Sequence, residues 1–156
     1  MPMGRWRDGR GTLAVGMDTS TVTQAEAEAG VEASATGDTA PEPDGRASGA
    51  RPRGIPLRIA ASYRARAKGL LGVDGVDGAL LITPCASVHT LRMRFTIDVA
   101  YLDRDFRVLA VRTMKPGRLG LPRPRARHVL ESEGGAMEAW GLRPGGRVRI
   151  FPAPPQ

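Results

Sequence analysis

Apolar and polar positions alternate most regularly between Arg94 and Tyr101. Phe95, Ile97, Val99 and Tyr101 fall on one face of an extended chain, and Arg94, Thr96, Asp98 and Ala100 fall on the other. A period of two predicts a strand with the first set in the core. The triplet Asp103, Arg104 and Asp105 then turns the chain, and "FRVLAVRTM" at 106–114 returns as an antiparallel partner, so that residues 85–106 look like the first half of a β-hairpin. The same alternation predicts strands in Gly54–Ser62, where Ile55, Leu57 and Ile59 alternate with Pro56, Arg58 and Ala60, and more briefly in Gly11–Val15. The apolar run Ala79–Ile82, closed by Pro84, predicts a buried strand; "HVLE" at 128–131 and "RPGGRVRIF" at 143–151 supply the last two. Helical signals are short. Ser62 can accept an N–H at a helix start and Gly69 can adopt the left-handed conformation past its end, which predicts two turns across "SYRARAKG"; "GGAMEAWG" predicts another short helix stopped by Gly141. The fold class is therefore mainly β: a compact barrel or sandwich of about six or seven short antiparallel strands with two short helices.

Residues 17–50 break this pattern. They hold seven acids, one arginine, many small polar residues and no aromatic residue, too little apolar surface to offset the entropy of ordering. The division expected is an N-terminal segment, 1–16, containing the first strand; a disordered acidic insert or linker, 17–53; a β domain, 54–152; and a tail, 153–156. The insert could be the long loop of a hairpin joining residues 11–15 to 54–60, or residues 1–50 could be an unattached tail. The chain of 156 residues suits one domain, and 41% hydrophobic residues suit a folded core.

Charge sharpens the division. Residues 1–50 carry four arginines against eight acids, whereas residues 51–156 carry 19 basic residues against eight acids. The second part is strongly basic, which suggests an anionic partner. Nearly all the basic residues are arginine, however, with only Lys68 and Lys115 as lysines, a skew that GC-rich codons would produce. Aromatic content is only 4%, and without exposed aromatics for base stacking the basic residues argue against nucleic acid. No run of about 18 apolar residues exists and no signal-peptide core follows the basic N-terminus, so a soluble, cytoplasmic monomer with no membrane association is expected.

The candidate chemistry gathers in residues 85–106. Cys85 is the only cysteine, and with only His89 and His128 to help it a closed zinc site is not expected; neither is any other metal or cofactor. A nucleophilic Cys85 would need a base such as His89; otherwise it is a small, half-buried apolar residue or a redox-sensing thiol. Asp98 is a carboxylate in an otherwise apolar run and must find donors there, either backbone N–H groups or an arginine. Glu131, in "HVLE", poses the same problem. The paired "VDG" triplets at 73–75 and 76–78 are turns, since a calcium loop would need further acidic ligands.

Several ordered pieces, "RARAKGLLG", "GALLI", "FTIDVAYLD", "VLAV" with "KPG", "HVLESEGG" and "WGLRPGGRVRI", together resemble domain of unknown function family 192 over about residues 55–151. The family's arginine-glycine-leucine-methionine element is matched loosely by Lys68, Gly69, Leu70 and Leu71. Its glycine-methionine-leucine falls on Gly78, Ala79 and Leu80, its leucine-aspartate-valine on Ile97, Asp98 and Val99, and its leucine-glutamate and glycine on Leu130, Glu131 and Gly134 or Gly135. Where the family commonly reads phenylalanine-tryptophan-methionine-lysine-asparagine-threonine, this chain has Val88, His89, Thr90, Leu91, Arg92 and Met93. The resemblance implies a compact, mostly β domain and no established reaction or cofactor.

Guanidinium groups bind phosphate and carboxylate bidentately, which makes the arginines at 92, 94, 123, 125 and 127 candidates for anion recognition. The function expected is a non-enzymatic binding or accessory module for an anionic small molecule or an acidic protein segment, with His89, Arg92, Arg94 and Asp98 as ligand-binding residues. The alternative is an enzyme using acid–base or metal-assisted chemistry centred on His89 and Asp98, with Glu131 as a third catalytic group.

Overall fold

A computed structural model describes residues 6–16 and 54–154. The stretch expected to be a disordered acidic insert, 17–53, lies outside these residues. Among the described residues seven strands make one sheet: β1 (Gly9–Gly16), β2 (Ile55–Ala60), β3 (Ala79–Ile82), β4 (Ile97–Leu102), β5 (Val108–Met114), β6 (His128–Glu133) and β7 (Arg147–Pro152), in the spatial order β5-β4-β6-β3-β2-β1-β7. Two short helices, α1 (Tyr63–Lys68) and α2 (Ala136–Ala139), complete a mainly β fold. The sheet curls into a half-barrel whose edge strands meet at one end: Arg107 bridges to Arg147, the Val108 N–H donates to the Gly146 carbonyl, and the Val148 N–H donates to Phe106.

One pairing departs from the antiparallel pattern expected. β2 and β3 run parallel, because the chain between them does not turn straight back but crosses over through α1 and residues 69–78. Strand β1 pairs antiparallel with both β2 and β7.

The central strands are buried on both faces, and their alternation sorts side chains into two cores. Leu80, Ile82, Ile97, Val99, Tyr101 and Val129 pack with Leu70, beyond α1. Leu81, Ala100, Leu102 and Leu130 pack with Met137 of α2. These are called here the α1 face and the α2 face. Helix α1 forms where its caps dictate: the Ser62 hydroxyl accepts from the Ala65 N–H, and Gly69, at φ 47°, ends the helix by donating its N–H to the Ala65 carbonyl.

The strand expected from Phe95 begins only at Ile97, so Arg92 and Arg94 do not stand on a strand face. Between them and β3 the chain makes a loop that turns tightly, with the Met93 N–H donating to the Thr90 carbonyl and Arg92 at φ 61°. Such a left-handed φ is costly for most side chains and milder for asparagine. Asparagine is the residue the related pattern carries where Arg92 stands. Thr90 is fully buried and fastens this loop to the one after β5: its hydroxyl donates to the Lys115 carbonyl at 2.7 Å and accepts from the Arg118 N–H at 2.8 Å.

Candidate functional site

The two buried carboxylates of adjacent strands end on opposite faces. Val99 pairs with Glu131 and Asp98 with Ser132, so Glu131 shares the α1 face with Val99 while Asp98 points toward α2. Asp98 is fully committed. Its Oδ1 accepts from the Thr113 hydroxyl at 2.7 Å, and its Oδ2 accepts from the N–H groups of Gly135 at 2.8 Å and Met137 at 3.2 Å. It thus ties β4 to β5 and supplies the capping acceptor that α2 otherwise lacks, since Gly135, held at φ 89°, has no side chain to do so.

Glu131 lies on the floor of a cleft of about 130 Å³ between α1 and the loop after β3, lined also by Arg66, Lys68, Cys85, Ser87 and His89. Leu70, Ile82 and Met93 make the apolar part of that lining. Among the described residues the Glu131 carboxyl makes no hydrogen bond or ion pair. With 4% of its surface exposed, burial pushes it from the usual 4.5 up to about 7. The Arg66 guanidinium forms one wall. One of its terminal nitrogens donates to the Pro84 carbonyl at 2.9 Å, while its Nε is buried with no hydrogen-bond partner among the described residues. Burial also pushes the Cys85 thiol up, helped by Glu131 and opposed by its bond to the Ser87 carbonyl and by Arg66. At neutral pH this thiol stays protonated, donating to Ser87 at 3.0 Å, and is a poor nucleophile.

The residues expected to form a site therefore separate. His89 and Glu131 meet in the α1-face cleft. Asp98 is on the other face. Arg94 is exposed and pairs with Asp74, of the first "VDG" turn, at 2.7 Å. Arg92 is exposed in its turn and outside the cleft lining. Among the described residues no three of His, Cys, Asp and Glu gather to hold a metal ion. His128 is buried on the far side of β6, with its ring stacked 4.3 Å from Phe106 and its Nδ1 2.7 Å from the Thr83 hydroxyl. The residue that sequence reasoning missed is Arg66. The caps at Ser62 and Gly69 fix the helix and hence the direction of position 66, but not what it faces.

The profile of DUF192, described as Uncharacterized ACR, matches residues 46–150, about two-thirds of the chain. The protein belongs to the DUF192 family. Within it, the chain is 36% identical over 100 residues to a UPF0127 protein of Pyrococcus horikoshii, covering 61% of this chain and 87% of that one. It is also 36% identical over 63 residues to a UPF0127 protein of Pyrococcus furiosus, covering 40% of this chain and 54% of that one, so it spans about half of that relative. A crystal structure of a protein of unknown function from Novosphingobium aromaticivorans is similar in fold, with a TM-score of 0.54 and 22% identity over 60% of this chain and 73% of that one. The family carries no assigned activity to this cleft. Among the described residues no helix is long and apolar enough to cross a membrane.

Proposed function

We propose that this DUF192 domain is a non-enzymatic binding module whose α1-face cleft captures a small anionic molecule. The observation that carries this reading is Arg66, which lines the cleft and whose Nε has no hydrogen-bond partner among the described residues. A carboxylate or phosphate oxygen seated against this guanidinium would form a charge-assisted bond, about twice as strong as a neutral one. Lys68 lines the same cleft and adds positive potential. Arg92 and Arg94, by contrast, lie outside the cleft lining, so anion recognition is assigned to Arg66.

Titration with acetate and inorganic phosphate, read by calorimetry and thermal shift, tests this. Binding should weaken as salt rises, disappear in Arg66→Gln and persist in the double variant Arg92→Gln, Arg94→Gln. Loss of binding in the double variant with full retention in Arg66→Gln would overturn the assignment. A second reading, acid–base chemistry, is favoured by one observation: Glu131, poised at about 7, shares the cleft with His89. It would be distinguished by a bound molecule that is recovered chemically altered from the wild type but not from Glu131→Gln.

A further inference from the structure

Resting on that binding site, we infer that the cleft selects small zwitterions over simple anions, taking the ligand's carboxylate at Arg66 and its ammonium group at Glu131. The geometry points to this because the cleft contains a cation and a carboxyl that are not spent on each other. Arg66 comes from α1 and Glu131 from β6, and both line the same cleft. Arg66 uses one nitrogen on Pro84 and keeps a buried, unpartnered Nε, while the Glu131 carboxyl has no partner among the described residues. Cys85, whose thiol is pushed up by Glu131 and down by Arg66, lines the same cleft as both. A ligand occupying about 130 Å³, the space of roughly four liquid waters, can therefore engage both ends.

A simple anion fits this arrangement poorly. It can satisfy Arg66, but it brings negative charge beside Glu131, which must then remain protonated or repel it. An amino acid brings its own cation. Its ammonium group pairs with an ionised Glu131 in surroundings made apolar by Leu70, Ile82 and Met93, where the interaction is stronger than in water. Binding of a zwitterion thus drives the proton off Glu131, whereas binding of a plain carboxylate favours its retention.

The experiment compares L-alanine with propionate, which differ by the ammonium group alone, by calorimetry on the full chain. At pH 7 the wild type should bind L-alanine at least about tenfold more tightly, the usual scale for one charge-assisted contact. In Glu131→Gln, with folding checked by circular dichroism, that preference should collapse toward unity while propionate still binds. Arg66→Gln should lose both ligands. Proton linkage gives a readout that needs no variant: enthalpies measured in bis-Tris and Tris buffers, neither of them anionic, should show protons released with L-alanine and none released with propionate. If both ligands bind equally in the wild type and neither releases protons, zwitterion selection is wrong and anion binding stands. If neither ligand binds, the binding site itself is wrong.

Discussion

Asp98 and Glu131 stand on adjacent strands, are exposed to nearly the same extent at 3% and 4%, and live in opposite circumstances. On the α2 face, Asp98 accepts three hydrogen bonds and uses them to join two strands and a helix start. On the α1 face, Glu131 accepts none from the described residues and sits at the bottom of a cleft beside an arginine with an unspent donor. Burial alone does not separate a structural carboxylate from one available to a ligand. The accounting of partners does: the first has its desolvation compensated within the fold, and the second leaves that compensation to something from outside.

The largest expected effect breaks the contrast on the committed side. Asp98→Ala leaves the Thr113 hydroxyl and two N–H groups of α2 unpaired, so it should destabilise by about 4 kcal/mol in a denaturant melt. A change under about 1 kcal/mol would mean that these bonds contribute little and that the two carboxylates are alike.

The next effect concerns Glu131 and depends on pH. Burial raises its value from 4.5 to about 7, so between these the folded protein holds this proton more firmly than the unfolded chain does. Stability contributed by the neutral acid is thus lost as pH rises through that window, by roughly 3 kcal/mol in all. Glu131→Gln mimics the neutral acid and should match the wild type at pH 4.5 and exceed it at pH 8. His128 acts in the opposite sense. Burial lowers its value, and this contribution to stability is lost as pH falls below the usual 6.5 toward the folded value. In Glu131→Gln the remaining dependence should therefore show a loss on the acid side only. Thermal melts across pH 4.5–8 would record both signs, and an unchanged loss of stability between pH 4.5 and about 7 in the variant would contradict the placement of Glu131.

The smallest effect lies in the loop between β3 and β4, at a position outside the cleft lining. Arg92→Asn relieves a left-handed backbone at φ 61° and should stabilise by about 0.5–1 kcal/mol while leaving acetate binding unchanged. Weakened acetate binding in this variant would return Arg92 to the site.

Much of the fold was legible because its signals are local. The period of two through Ile97, Val99 and Tyr101, the capping pair Ser62 and Gly69, and the stop at Gly141 depend only on neighbouring residues. The parallel pairing of β2 with β3 was not, since it depends on where a crossover lands. Asp98 was legible as a carboxylate needing donors, because an acid in an apolar strand poses that problem in any β fold. The cleft was harder to see. Arg66 is one of three basic residues in a six-residue helix, and nothing local distinguishes it from Arg64 or Lys68. Arg94 carries the same charge but finds Asp74, twenty positions away in sequence, and only the folded loop reveals that it is already paired.

Among the described residues Glu131 is a buried carboxyl without a partner, on the floor of the α1-face cleft. Its side-chain carboxyl carbon can be followed directly by NMR in a pH titration of the unliganded protein, with Glu131→Gln identifying the resonance. A midpoint of about 7 is expected. A midpoint at the ordinary 4.5 would contradict it, showing a carboxylate either solvated or already paired.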